Sequence, residues 1–219
     1  MGVRCLLVDD DAFTRTTLAS ALHAHGIEVV ASADGITQAM TAHATPPSSG
    51  GDATAECAIL DLDLGLGPNG VDLAHALRRR DPDIGIVILT SFTDPRLLAT
   101  SLRELPEGSA YVVKQSLEDM DILLSAIEGV TRGKAGTSPA PRVPLSDAQI
   151  ETLRLLACGL SNAEIARVRV VTEKSVEQAI KRVAVALAID TSSRVNQRVA
   201  LARAYFSLTG ADRHTHARR

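Results

Sequence analysis

A chain of 219 residues, 45% hydrophobic and 22% charged, is long enough for one large or two small folded domains. No apolar run is long enough to span a bilayer, and the N-terminus turns acidic at Asp9 too soon for a secretory signal, so a chain without membrane segments is expected. The net charge of −3 conceals an asymmetry: residues 1–132 carry 9 Lys and Arg against 19 Asp and Glu, and residues 133–219 carry 14 against 7, so an acidic half suited to a cation precedes a basic half suited to a polyanion.

In chain order, strand-like apolar runs at 3–8, 27–31, 57–62, 84–90 and 110–113 alternate with helical patterns at about 12–25, 35–43, 70–80, 95–105 and 117–132. Such alternation predicts a doubly wound parallel sheet, a (βα)5 unit. Residues 44–56, with Pro46, Pro47 and Gly50-Gly51, read as a surface loop. The three cysteines, Cys5, Cys57 and Cys158, are odd in number and widely spaced. They form neither a disulfide framework nor a zinc pattern, which favours a reducing cytoplasm.

The stretch 58–70 organises this half. Ala58-Ile59-Leu60 ends at Asp61, Asp63 follows two residues later, and Gly65, Gly67, Pro68, Asn69 and Gly70 break the chain. A buried strand therefore delivers acids to a loop. Asp9-Asp10-Asp11, Asp61, Thr90 and Lys114 all fall at the carboxyl ends of expected strands, which converge on one crevice in an open parallel sheet. Clustered carboxylates repel, and a hard divalent cation such as Mg2+ relieves that repulsion. Asp61 can then attack a phosphoryl group, with Thr90 donating its hydroxyl to a phosphate oxygen and Lys114 supplying an ammonium.

Leu6-Leu7-Val8-Asp9-Asp10, Ile59-Leu60-Asp61, Val87-Ile88-Leu89-Thr90-Ser91 and Tyr111-Val112-Val113-Lys114 resemble the receiver domain of bacterial two-component response regulators. The resemblance implies Asp61 as phosphoacceptor and Asp9, Asp10, Asp61 and the backbone carbonyl of Asp63 as Mg2+ ligands. It implies Thr90 and Tyr111 as the pair that rearranges on phosphorylation, and Lys114 as the phosphate partner. Residues 105–109 depart from the usual Gly-Ala turn. Phe92 falls at a position that tunes dephosphorylation in this family, and its bulk is expected to shield the phosphoryl group. Asp61-Leu62-Asp63 also resembles the nucleophile motif of haloacid-dehalogenase-type phosphatases, with Asp63 as general acid. In that family, however, the nucleophile opens the domain and the acidic pair lies downstream.

The composition of 133–144 is that of a linker and coincides with the change of charge sign, which predicts domains at 1–132 and 145–210 and a disordered basic tail at 211–219. Beyond the linker, helix signals replace strand signals. Ser146-x-x-Gln149 and Ser161-x-x-Glu164 are capping boxes, and Gly159 can close the first helix. A third helix over 172–188 aligns Val176, Ile180, Val183 and Leu187 on one face, and a fourth over 194–208 covers the module. This is helix-turn-helix architecture, an all-α domain of four helices. Burying that face turns Lys174, Glu177, Gln178, Lys181 and Arg182 outward, where Gln reads adenine and Lys reads guanine or holds phosphate. Arg167, Arg169, Arg194 and Arg198 are expected on backbone phosphates.

Residues 145–166, continued by Thr172-Glu173-Lys174-Ser175-Val176-Glu177, closely resemble the LuxR/NarL-type DNA-binding domain. The resemblance adds Ser175 to the contact set and implies a NarL/FixJ-type regulator. A sensor histidine kinase, an inverted-repeat duplex and a homodimer formed on activation would be its partners. It is not a turnover enzyme in this reading. Glu177 stands where the family commonly has a basic residue, and can accept from cytosine N4. A module that pairs with protein partners instead of DNA is the competing reading.

Overall fold

The alternating runs of the first half form five short parallel strands: β1 (Arg4–Val8), β2 (Glu28–Ala33), β3 (Cys57–Leu60), β4 (Gly85–Thr90) and β5 (Ala110–Val113). The order across the sheet is β2-β1-β3-β4-β5. The computed structural model describes residues 2–44, 54–65, 67–99, 102–133, 141–189 and 196–211. Most of the expected loop at 44–56, linker residues 134–140, Arg194 and tail residues 212–219 lie outside that set. The described residues gather into two units, one from the ranges 1–90 and 103–140, the other from 91–102 and 141–219.

In the first unit, side chains alternate across the sheet because successive strand residues point to opposite faces. Cys5, Leu7, Cys57, Ile59, Val87, Leu89, Ala110 and Val112 share one core with Leu18 and Leu22 of α1 (Ala12–Ala24) and Leu123, Ile127 and Val130 of α4 (Met120–Thr131). On the other side, α2 (Ile36–Ala44) touches β1 and β2, and α3 (Gly70–Arg80) touches β3 and β4. All of β3 and β4 is buried, as the unbroken apolar runs of a parallel sheet require.

Among the described residues, the helix expected over 95–105 is not formed. Asp94 caps a single 3-10 turn, Pro95–Leu97, and residues 102–109 run outside helix and strand until β5. Leu97, only 2% exposed, lies instead in the core of the second unit, so tertiary burial overrides the local helical pattern. Where the last helix is expected, over 117–132, a 3-10 turn (Lys114–Glu118) comes first and α4 starts only at Met120, with Asp119 as its cap.

The second unit contains α5 (Asp147–Ala157), α6 (Asn162–Arg169), α7 (Glu173–Ala186) and α8 (Gln197–Leu208). Both expected capping boxes are present: the Ser146 and Ser161 hydroxyls accept from the Gln149 and Glu164 amides, and the Gln149 and Glu164 side chains accept from the cap amides. Gly159 takes the left-handed conformation after α5. Thr172 caps α7 through the Ser175 amide. The core joins Leu145, Ile150, Leu153, Leu156, Ile165, Val176, Ile180, Val183 and Leu201 to Leu97. Leu187 is only partly buried, because α7 ends at Ala186.

Candidate functional site

Strand β1 ends at Val8 and β3 at Leu60, paired in register, so the next residues, Asp9 and Asp61, emerge side by side. Asp9 is 2% and Asp61 8% exposed, whereas Asp10 is exposed. One carboxylate oxygen from each of Asp9, Asp10 and Asp61 lies within 4.8 Å of the others. Lys114, directly after β5, reaches across the sheet end: its Nζ donates to Asp9 Oδ2 at 2.7 Å and to Asp61 Oδ2 at 2.6 Å.

Burial pushes the Asp61 carboxyl up to about 6, with repulsion from Asp9 added and the pull of Lys114 opposing. Burial also disfavours the Lys114 ammonium, yet the attraction and hydrogen bonds of Asp61 and Asp9 outweigh it and hold the group above the usual lysine value. Lys114 therefore stays cationic. One ammonium against three acids leaves a negative excess of hard oxygen donors, the chemistry that suits a hard divalent cation.

Gly70, Asn69 and Arg15 support the site without being among the sequence candidates, beside Asp11 and Asp63, which are. Gly70 lies so close to the reactive loop that a Cβ built there would stand 2.0 Å from the Asp61 carbonyl oxygen, and its amide donates to Leu62 O at 2.9 Å. Asn69 caps α3 in a box with Asp72 and pins that approach. The Asn69-x-x-Asp72 spacing was a readable signal, whereas the close approach of Gly70 is a tertiary fact with none. Asp11 caps α1, accepting from the Phe13 amide at 2.9 Å. Arg15 Nη1 donates to the Asp9 carbonyl at 2.6 Å. The Asp63 amide donates to Asp61 Oδ1 at 3.3 Å, while its own carboxylate accepts from the Gly65 amide at 3.2 Å.

Thr90 is fully buried at the end of β4, and Tyr111 is 8% exposed on β5. With Ile88 paired to Tyr111 and Thr90 to Val113, Thr90 and Tyr111 share one face of adjacent strands. Phe92 is partly buried and packs against the core of the second unit, the chain leaving the sheet immediately after Thr90.

On α7, Lys174, Ser175, Glu177, Gln178, Lys181 and Arg182 are all exposed, and Val176, Ile180, Val183 and Ala184 are buried. The Ser175 hydroxyl is hydrogen-bonded to the Thr172 hydroxyl at 2.8 Å. Arg198, expected on a backbone phosphate, is also engaged within the unit. Its guanidinium bonds Asn162 Oδ1 and the Leu160 carbonyl, tying α8 to the α5–α6 turn. Arg169 bonds the Thr152 hydroxyl within the same unit. The α6–α7 turn passes through Val170 at φ 53°, a left-handed conformation costly for a β-branched residue, with its side chain 90% exposed.

A family model described as the response regulator receiver domain matches residues 5–128. The chain is 30% identical over 206 residues to the DNA-binding transcriptional activator DevR/DosR of Mycobacterium tuberculosis H37Rv, covering 86% of this chain and 89% of that protein. It is 27% identical over 199 residues to the oxygen regulatory protein NreC of Staphylococcus carnosus, covering 80% and 86%. The fold is similar to that of RcsB solved as two dimers on two parallel DNAs, with a TM-score of 0.55 at 21% identity, covering 95% of this chain and 100% of that one.

Proposed function

The chain belongs to the response regulator receiver family, and from that premise we propose that it is a DNA-binding transcription regulator of a two-component system, switched by phosphorylation of Asp61. The observation that carries this reading is the Lys114 bridge to Asp61 and Asp9 beside a third acid. Asp9, Asp10 and Asp61, with the Asp63 carbonyl, would hold Mg2+. When bound, the ion neutralises the charge of the incoming phosphoryl oxygens.

The Asp61 carboxylate donates an electron pair to phosphorus, and the P–N bond of a kinase phosphohistidine breaks with its electron pair leaving on the imidazole. Lys114, already 2.6 Å from the Asp61 oxygen, passes to a phosphoryl oxygen. The Thr90 hydroxyl donates to another, and Tyr111, on the same sheet face, repacks. The outward face of α7 then enters a major groove: Lys174, Ser175, Glu177 and Gln178 face bases, and Lys181 and Arg182 hold phosphates. A homodimer on an inverted-repeat duplex follows from the symmetry such modules use. The protein accepts and slowly loses its own phosphoryl group and does not turn over substrate. Asp63, which a phosphatase would need as general acid, is engaged by the Gly65 amide. Among the described residues no helix is long and apolar enough to cross a membrane, and a cytoplasmic setting fits the unpaired cysteines.

The test is intact-mass spectrometry after incubation with acetyl phosphate and Mg2+. One phosphoryl adduct on wild type and none on Asp61→Asn is expected. Equal adducts on both proteins, or none on folded wild type, would refute the assignment.

A further inference from the structure

Within the second unit, the first turn of α5, the end of α6 and one face of α7 enclose a cavity of about 290 Å3. Short side chains keep it open, since Ala148 of α5 and Ala179 of α7 both line it. On α7, Ser175, Ala179 and Arg182 recur at i, i+4 and i+7 and so turn the same way. Arg169, the last residue of α6, lines the cavity from the α6–α7 turn, with Val171 beside it as an apolar wall. The volume lies near the small end of the range for small-molecule sites, roughly 300–1,000 Å3.

Its polar groups are donors. Arg169 is half-buried and gives one guanidinium N–H to the hydroxyl of Thr152, a residue with no exposed surface, which leaves most of the fork for the cavity. Arg182 is exposed and supplies a second guanidinium. In the α5 capping box the Ser146 and Gln149 side-chain oxygens act as acceptors, so the Ser146 hydroxyl proton and the Gln149 NH2 group remain to donate. Among the described residues no acidic side chain lines the cavity. The acids of the adjoining turns are engaged elsewhere: Glu151 accepts from Arg154 Nε at 2.9 Å and Nη2 at 2.7 Å, and Asp147 accepts from Arg96 Nη1 at 2.9 Å.

Two guanidiniums and neutral donors with no opposing carboxylate match a doubly charged oxyanion, and the arginine fork fits phosphoryl oxygens in particular. The apolar surface of Ala148, Val171 and Ala179 leaves room for a small organic body beside the charge. A duplex carries its phosphates on a stiff rod, whereas Arg169 is bonded to a residue with no exposed surface, so a small molecule is the carrier that can bring an oxyanion to it.

We propose that this cavity binds a small phosphate monoester, with Arg169 and Arg182 sharing its dianion, and that the bound ligand competes with DNA. The competition rests on the function proposed above, because Ser175 and Arg182 belong both to the cavity and to the outward face of α7. The binding itself does not rest on it. A ligand held there takes those two side chains from the duplex and lowers DNA affinity without acting through Asp61.

The experiment is isothermal titration of the full-length protein with adenosine monophosphate, in EDTA so that no metal draws phosphate to the acid site, with adenosine as the uncharged control. Wild type is expected to bind the monophosphate and not adenosine. Arg169→Gln and Arg182→Gln are each expected to lose about tenfold or more in affinity, the loss for one charged hydrogen-bonding partner. Arg182 is exposed, so its variant keeps the test valid if Arg169→Gln fails to fold. In the same buffer, at matched ionic strength, adenosine monophosphate is expected to displace a labelled duplex from wild type, read by fluorescence anisotropy. No binding at millimolar probe, or equal affinity of wild type and both variants, overturns the site. Loss of duplex affinity in both variants, with no binding of the monophosphate, assigns the arginines to DNA phosphates and overturns it too. Binding that depends on both arginines yet leaves the duplex bound overturns the competition alone. Failure of Asp61 to accept a phosphoryl group leaves every one of these readouts unchanged, which keeps the two proposals separable.

Discussion

Lys114 holds two carboxylates with one ammonium, and that economy explains why small backbone features near Asp61 matter. Gly70 is the clearest case. A methyl group at 2.0 Å from the Asp61 carbonyl oxygen cannot be accommodated without moving the loop that carries Asp61. Gly70→Ala is expected to cost about 2–4 kcal/mol in urea unfolding and to slow phosphorylation by acetyl phosphate, with Asn69 capping lost in the same displacement. Asp94 sets a second residue-level expectation. Burial pushes its carboxyl up, but the hydrogen bonds of Arg96 and the Val143 amide outweigh that and hold it below its ordinary 3.8. A folded pKa below the unfolded one contributes stability that is present above the unfolded value and lost as pH falls through the folded one. The stability gap between wild type and Asp94→Asn should therefore be constant above about pH 5 and shrink below about pH 4, as measured by unfolding at fixed temperature.

At the scale of elements, what could be read from the sequence was local and periodic. The five strands, the capping boxes at Ser146 and Ser161 and the buried face of α7 each announce themselves through spacing that one segment contains by itself. The acids and Lys114 were legible because strand ends in a parallel sheet converge by topology. What was not legible depends on distant partners: the helix expected over 95–105 gives way to Leu97 burial and the Arg96 contacts, and Arg198 is claimed by Asn162 and Leu160. Single-sequence patterns contain no term for such competition. The α7 face carries its own prediction. Exposed Glu177 puts a carboxylate among the outward Lys174, Gln178, Lys181 and Arg182. Glu177→Lys is expected to raise nonspecific duplex affinity and to steepen the dependence of log Kd on log salt by about 0.9 for each added phosphate contact, read by fluorescence anisotropy across a salt series.

For the whole molecule, the charge map and the core map do not coincide. Charge changes sign near residue 133, in keeping with an acidic phosphoryl-transfer half and a basic polyanion-binding half. Packing instead gives residues 91–102 to the second unit, with Leu97 inside its core and Arg96 bonding the 143–147 backbone. A fragment beginning at residue 141 leaves those groups behind. It should be less stable than the full chain's second unit by about 2–4 kcal/mol, the cost of removing a buried leucine, before the Arg96 hydrogen bonds are counted. Thermal unfolding of the fragment with and without a synthetic peptide covering 91–99 checks this, and stabilisation by the peptide is the expected result.

The two-part ownership of 91–102 also bears on inheritance. A chimera joined at the linker would bring one parent's Leu97 and Arg96 to another parent's α5 and backbone acceptors, and neither partner surface would be matched. A swap that carries residues 91–102 together with the helices they pack against is expected to keep both surfaces matched. In this protein, then, the packing unit is a discontinuous one.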